Sequence, residues 1–299
     1  MSFAATGSAL DSQPRWSVEF HPDAHHVLRV PVLKSQALKQ PAALRLLVVV
    51  GSGCSGMGPL AERYFSGLFT ADIWIIHKPH TSPWVRRAPD SCSDGFLRYD
   101  RHSSWQADAA SALASLRDSS TPLPTWIVGI SEGGEILAHL AHSLKGELRG
   151  LVLLSAPGLN PSDTMRLQAR RLGHLDAWSA IERASRSSQS DHTLVHGRSL
   201  GYWRDAMSWS VSQPLLETDW TILQVWGEQD ELVPPEAYER FQALAKGMPA
   251  RVCSMRWPQS DHGLTSTVRG PAQPHVWHLL ENGSQALLSG CPRFPHPSQ

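Results

Sequence analysis

Hydrophobic positions in this chain cluster in two alternating kinds of block. The first kind is a short, nearly continuous apolar run: Leu44 to Val50, Asp72 to His77, Trp126 to Ile130, Gly150 to Ser155 and Thr221 to Trp226, with Arg251 to Trp257 a more polar sixth. Runs rich in valine, isoleucine and leucine without polar alternation predict strands buried on both faces. The second kind carries apolar residues at helical spacing, clearest from Tyr99 to Arg117, where Trp105, Ala109, Leu113 and Leu116 share one face. Further helices are expected over Leu60 to Leu68, from Glu135 to about Leu144, over Pro235 to Ala245 and over Val276 to Leu288. Ahead of these, Trp16 to Phe20 and Val27 to Leu33 read as an opening hairpin turned at His21-Pro22-Asp23. Strand and helix alternate, so the pattern predicts an α/β protein with a doubly wound, mostly parallel sheet and helices on both faces.

The alternation stops between residues 159 and 217. That stretch holds no convincing strand but three helix-like segments, Asp163 to Leu172, Leu175 to Ser185 and Leu200 to Ser212. We read it as a helical cap inserted into a core made of residues 16–158 and 218–290, with residues 1–15 and 291–299 as loose tails.

Composition narrows the class. With 299 residues, 41% of them hydrophobic, the chain needs neither disulfides nor metals to hold its core. A formal net charge of +0 gives no reason to expect a nucleic-acid or membrane-surface partner. No apolar run approaches the ~20 residues of a membrane span, and residues 1–14 lack the apolar core of a secretory signal. A cytoplasmic location is the resulting expectation. The four cysteines, Cys54, Cys92, Cys253 and Cys291, show no CxxC spacing and are expected as free thiols, with a Cys54–Cys92 bridge as the alternative.

In open parallel sheets, chemistry gathers at the carboxyl ends of the strands. The Trp126–Ile130 strand runs into Gly129-Ile130-Ser131-Glu132-Gly133-Gly134 and then a helical pattern. A serine on such a strand-to-helix turn is held in a strained conformation with its hydroxyl exposed. The Thr221–Trp226 strand runs into Gly227-Glu228-Gln229-Asp230-Glu231-Leu232-Val233-Pro234, and the last strand into Pro258-Gln259-Ser260-Asp261-His262-Gly263. Serine, acid and histidine thus follow one another, each just past a strand.

These three motifs, in this order, resemble those of the α/β-hydrolases over roughly residues 16–290. The resemblance implies an eight-stranded sheet, a cap after the sixth strand, and hydrolysis of esters, thioesters, amides or related bonds without cofactor or metal. It assigns Ser131 as nucleophile, His262 as base and Asp230 as the group that orients the imidazole. Glu228 and Glu231 compete for the acid role. Asp261, adjacent to His262, reads as a loop-shaping residue.

An oxyanion hole built from backbone N–H groups would use Glu132, next to the nucleophile, and a donor from Gly51-Ser52-Gly53 after the Leu44–Val50 strand. Ser52 is the first choice and Gly53 the second. The histidine that many relatives carry in this loop is missing. The loop has neither the Gly-Lys-Ser/Thr of a phosphate cradle nor the acidic residue of a dinucleotide site. Of the 12 tryptophans, Trp84, Trp203 and Trp209 are candidates for lining an acyl pocket, ordinary packing being the alternative. The cap arginines alternate with acids and read as a solvated helix face.

The expected function is therefore a serine hydrolase acting on a small-molecule ester or thioester. A peptidase or amidase on the same triad, or a non-catalytic binding protein of the same fold, are the alternatives. A dehalogenase or epoxide hydrolase would carry aspartate in place of Ser131.

Overall fold

A computed structural model describes residues 15–144, 146–282 and 284–291. Of the expected tails, all but Arg15 and Cys291 lie outside the described residues.

Eight strands form one sheet. They are β1 (Trp16–Pro22), β2 (Arg29–Ser35), β3 (Leu44–Val49), β4 (Ala71–Ile76), β5 (Thr125–Ile130), β6 (Leu148–Leu154), β9 (Thr221–Gly227) and β10 (Arg251–Trp257). Two-residue ribbons, β7 (Leu194–Val195) with β8 (Arg198–Ser199) and β11 (Thr265–Ser266) with β12 (Gly270–Pro271), lie outside it. The sheet order is β1-β2-β4-β3-β5-β6-β9-β10. β2 is antiparallel to both its neighbours, and every other pairing is parallel. The unbroken apolar runs occupy the middle of the sheet: all of β3 and β9 is buried. Each buried Val, Ile or Leu there contributes about 1.5–3 kcal/mol of transfer free energy.

Helices cover both faces: α1 (Gly58–Tyr64), α2 (Asp94–Tyr99), α3 (His102–Asp118), α4 (Leu137–Ala141), α9 (Pro235–Leu244), α10 (Gln273–Asn282) and α11 (Ser284–Ser289). Between β6 and β9 the chain forms α5 (Pro161–Arg171), α6 (Leu175–Ser185), the β7–β8 ribbon, α7 (Leu200–Ser208) and α8 (Ser212–Leu216). This segment has a small core of its own, with Trp178, Ile181, Tyr202, Trp203 and Ala206 packed together. Asn160 ties its two ends: one side-chain oxygen accepts from Val211 N at 2.8 Å and Ser212 N at 3.3 Å.

Three expectations shift. The opening turn lies beyond Pro22, not at it. β1 continues to pair Pro22 with Arg29, and the Asp23 carboxylate then closes the loop by accepting from Val27 N at 2.7 Å. Val27, expected in a strand, is 78% exposed. The helix expected from Glu135 begins instead with a 3-10 turn, Ser131–Ile136, before α4. Gly133 and Gly134 are weak α-helix formers and favour the tighter turn.

The third correction concerns the cysteines. None is a free thiol: Cys54 bonds Cys92, and Cys253 bonds Cys291. Topology is the reason. β3 and β4 are neighbours, so the loops leaving their carboxyl ends run side by side and bring Cys54 to Cys92. The chain after α11 returns to the edge strand β10, where Cys253 meets Cys291. The Cys54–Cys92 bridge is the alternative given above, while nothing in the sequence points to Cys253–Cys291.

Candidate active site

The chain crosses from one half of the sheet to the other between β3 and β5, which are hydrogen-bonded neighbours leading to opposite sides. Loops diverge at such a point and leave a crevice at the carboxyl ends of the strands. Ser131 sits there, directly after β5, with φ at +52°. A non-glycine residue in this region costs on the order of 1–3 kcal/mol and persists only where neighbours enforce it. The neighbours are tight. A Cβ on Gly133 would fall 2.3 Å from Val49 O, and one on Gly129 would fall 2.5 Å from Gly134 Cα. Glycine is therefore required on both sides of the serine.

His262 and Asp230 reach the same point from the loops after β10 and β9. His262 Nε2 lies 3.1 Å from Ser131 Oγ, and His262 Nδ1 lies 2.9 Å from both Asp230 carboxylate oxygens. Asp230 is almost fully buried and accepts three further hydrogen bonds, from Leu232 N at 2.9 Å, Val233 N at 2.8 Å and the Tyr238 hydroxyl at 2.9 Å. Burial, and then the adjacent Asp230, push the Tyr238 phenol well above its ordinary range, so it stays protonated and donates.

The other acids of these loops hold backbone. Glu231 accepts from His262 N at 3.1 Å, Glu228 from Gln259 N at 3.0 Å, and Asp261 from Thr265 N at 2.9 Å. Ser155, after β6 and also at positive φ, donates to the His262 carbonyl at 2.6 Å. Tyr238 and Ser155 escaped sequence reading. Ser155 lies 107 residues from His262 and is brought in by the strand order, while Tyr238, on the helix directly after the Asp230 loop, carries no motif that marks it.

The glycine-rich loop after β3 lies against the serine: a Cβ on Gly51 would stand 3.2 Å from Ser131 Cβ. Ser52 is exposed, and Gly53 has φ at +80°. The rest of the loop is laced to residues 83–87. Gly56 N donates to Val85 O and Gly58 N to Pro83 O, while Ser55 Oγ bridges to both N and O of Arg87. Beneath it, Met57 N donates to Nε2 of the buried His77 at 3.0 Å. Burial holds the His77 imidazole down to about 4, so it is a neutral acceptor near pH 7.

The three tryptophans occupy different surroundings. Trp203 lies in the core of the inserted segment and donates to Val195 O at 2.8 Å. Trp209 donates to Glu135 O at 2.8 Å and stacks on His102. Trp84 is half exposed over Gly58.

Glu132, directly after the serine, carries the most unusual side chain here. Its carboxylate is 9% exposed and pairs with Lys78 Nζ, accepts from the Tyr202 hydroxyl at 3.0 Å and lies 3.6 Å from Arg198. Burial alone would raise its pKa, but the Lys78 and Arg198 charges outweigh that and hold it far below the usual carboxylate range. Lys78 also donates to Asp100 at 2.6 Å, Arg198 pairs with Asp100, and His102 pairs with Glu135. The reading of the cap arginines as a solvated helix face fails for Arg198, which lies in β8 and pairs with Asp100 beside Glu132, because nothing in sequence spacing marks these charges as neighbours.

No family model and no curated protein matches the sequence. Solved structures do. An alpha/beta hydrolase domain-containing protein 10 from mouse superposes with a TM-score of 0.58 at 16% identity, covering 91% of this chain and 99% of that one. Est1E from Butyrivibrio proteoclasticus gives 0.56 at 13% identity, over 91% and 99%. A puromycin-hydrolyzing peptidase from Mycobacterium tuberculosis gives 0.61 at 16% identity, over 93% of this chain but 40% of that one. With its sheet order, its strained serine after β5 and these likenesses, the chain has the α/β-hydrolase fold.

Proposed function

We propose that this protein is a serine hydrolase that cleaves a carboxylic ester or thioester through an acyl-enzyme. The observation that carries the reading is the unbroken hydrogen-bond path from Ser131 Oγ through the His262 ring to the buried Asp230. A serine hydroxyl is a weak nucleophile until a base takes its proton. His262 Nε2 is within reach to do so as Oγ attacks the carbonyl carbon. Asp230 holds the ring with its proton on Nδ1 and stabilises the imidazolium that forms. The tetrahedral oxyanion is met by backbone N–H groups, Glu132 N–H on one side and Ser52 or Gly53 N–H on the other. As the intermediate collapses, imidazolium returns the proton to the departing alcohol or thiol. Water then repeats the cycle on the acyl-serine and releases the acid.

Ser131→Ala is expected to lower kcat on short-chain p-nitrophenyl esters by at least about 10³-fold. A fluorophosphonate should label the wild-type serine and leave the variant untouched. Full turnover by the alanine variant would remove the assignment. An amidase or peptidase reading on the same groups draws support from the peptidase among the similar structures. Aminoacyl anilides assayed beside an acyl-length series of esters separate the two, and the same series reports how deep a pocket the tryptophans leave.

The cysteines bear on the compartment. Among the described residues no helix is long and apolar enough to cross a membrane. Two disulfides suit an oxidising compartment better than the reducing cytoplasm first expected. Thiol titration of denatured protein drawn directly from its native cells is expected to find no reactive cysteine.

A further inference from the structure

The charge cluster beside Ser131 has no step in the reaction just described, and its chemistry is unusual. Three carboxyl side chains, Asp100, Glu132 and Glu135, meet the Lys78 ammonium, the Arg198 guanidinium and the His102 imidazole, and the Tyr202 hydroxyl joins them. Apolar residues of similar volume would hold elements together at least as well, because desolvating so many charges offsets most of their attraction. What directional bonds add is position. Four separate parts of the chain converge on one carboxylate: Lys78 from the end of β4, Asp100 through Lys78 from ahead of α3, Arg198 from β8, and Tyr202 from the first turn of α7. Tyr202 is itself fixed, since its N–H caps on Ser199 Oγ at 3.1 Å and Arg198 lies over its ring at 4.4 Å.

We infer that the Glu132 side chain is a positioning element. Lys78, Arg198 and Tyr202 clamp its carboxylate, and so fix the peptide unit after Ser131 whose N–H receives the developing oxyanion. This rests on the serine-hydrolase reading. It goes further in making the inserted segment part of the catalytic geometry: Arg198 and Tyr202 act through Glu132 without touching substrate. Packing around Gly129 and Gly133 holds the backbone of the turn, and the clamp on the Glu132 carboxylate adds a hold on the residue whose N–H is to serve. An oxyanion hole loses its advantage when a donor drifts by a fraction of an ångström.

The test compares wild type, Tyr202→Phe, Arg198→Lys, Glu132→Gln and Ser131→Ala on one activated ester. A trifluoromethyl ketone of the same acyl chain serves as a mimic of the charged tetrahedral intermediate. Tyr202→Phe and Arg198→Lys are expected to lower kcat about 10-fold with KM within about threefold. Their Ki for the ketone should rise by the same factor as kcat/KM falls. Glu132→Gln keeps an acceptor for Tyr202 but loses its charge, and should show the same split with a larger loss. Thermal midpoints and labelling of the folded fraction identify any variant that merely unfolds, and for such a variant Tyr202→Phe, which deletes one oxygen, decides. Folded variants with kcat within twofold of wild type, or a ketone Ki that does not move with kcat/KM, would overturn the positioning role. An ester activity indifferent to Ser131→Ala would instead overturn the hydrolase reading, so the two failures are distinct.

Discussion

At the scale of single residues, two buried groups behave unlike their type. His77 accepts the Met57 N–H and is held neutral by burial, with its pKa lowered from 6.5 to about 4. The unfolded chain therefore binds a proton that the folded chain refuses between those values. The contribution of His77 is complete above about pH 6.5 and is lost as pH falls toward about 4, up to about 3 kcal/mol in full. Urea denaturation of wild type and His77→Gln across pH 4–7 should show the wild type losing this increment on acidification and the variant lacking that slope. Tyr238 has the opposite character, a phenol kept protonated for Asp230. Tyr238→Phe leaves one hydrogen bond to a buried carboxylate unmade. It should cost about 1–3 kcal/mol of stability, read by urea midpoints, and lower kcat several-fold through looser orientation of His262.

At the scale of elements, the loops that form the site are braced from outside it. The C-terminal turn of α5 reaches the acid loop, where Arg171 donates to Asp230 O at 2.8 Å and to Glu231 O at 2.5 Å. The Cys54–Cys92 bridge closes the glycine-rich loop onto the loop after β4, next to the hydrogen bonds around Ser55 and Gly56. The Cys253–Cys291 bridge fastens the chain end to the edge of the sheet, on a strand whose loop carries His262. Removing either bridge should destabilise the protein by about 2–4 kcal/mol. The consequences for catalysis differ. A Cys54→Ser, Cys92→Ser double variant loosens the proposed oxyanion loop and should lose several-fold in kcat. The Cys253→Ser, Cys291→Ser pair should keep kcat near wild type at temperatures where it is folded. Equal kcat in both pairs would dissociate the first bridge from the site.

At the scale of the whole molecule, the strand order explains which inferences from the chain succeed. Local signals are enough for the sheet: β3, β5, β6 and β9 are dominated by apolar residues, with few polar interruptions such as Arg45 and Gln224, because helices cover both their faces. The loop residues Ser131, Asp230 and His262 are equally legible, since each follows a strand and carries glycine or proline nearby that shapes its turn. The opening hairpin is less legible. Pro22 looks like a turn residue in isolation, yet it sits at the end of an edge strand, where a missing N–H costs nothing.

By itself the chain determined the alternation of buried strands and amphipathic helices, the interruption at residues 159–217, and which side chains stand at strand ends. These follow from periodicity and turn chemistry, which act over a few neighbouring residues. Only the tertiary structure decided which loops touch. It paired the four cysteines, set Tyr238 against Asp230, and gathered Lys78, Asp100, Arg198 and Tyr202 around Glu132 from positions up to 124 residues apart. Partners of that kind are chosen by sheet order and by the docking of the inserted helices, and a buried charge leaves no mark in the residues beside it.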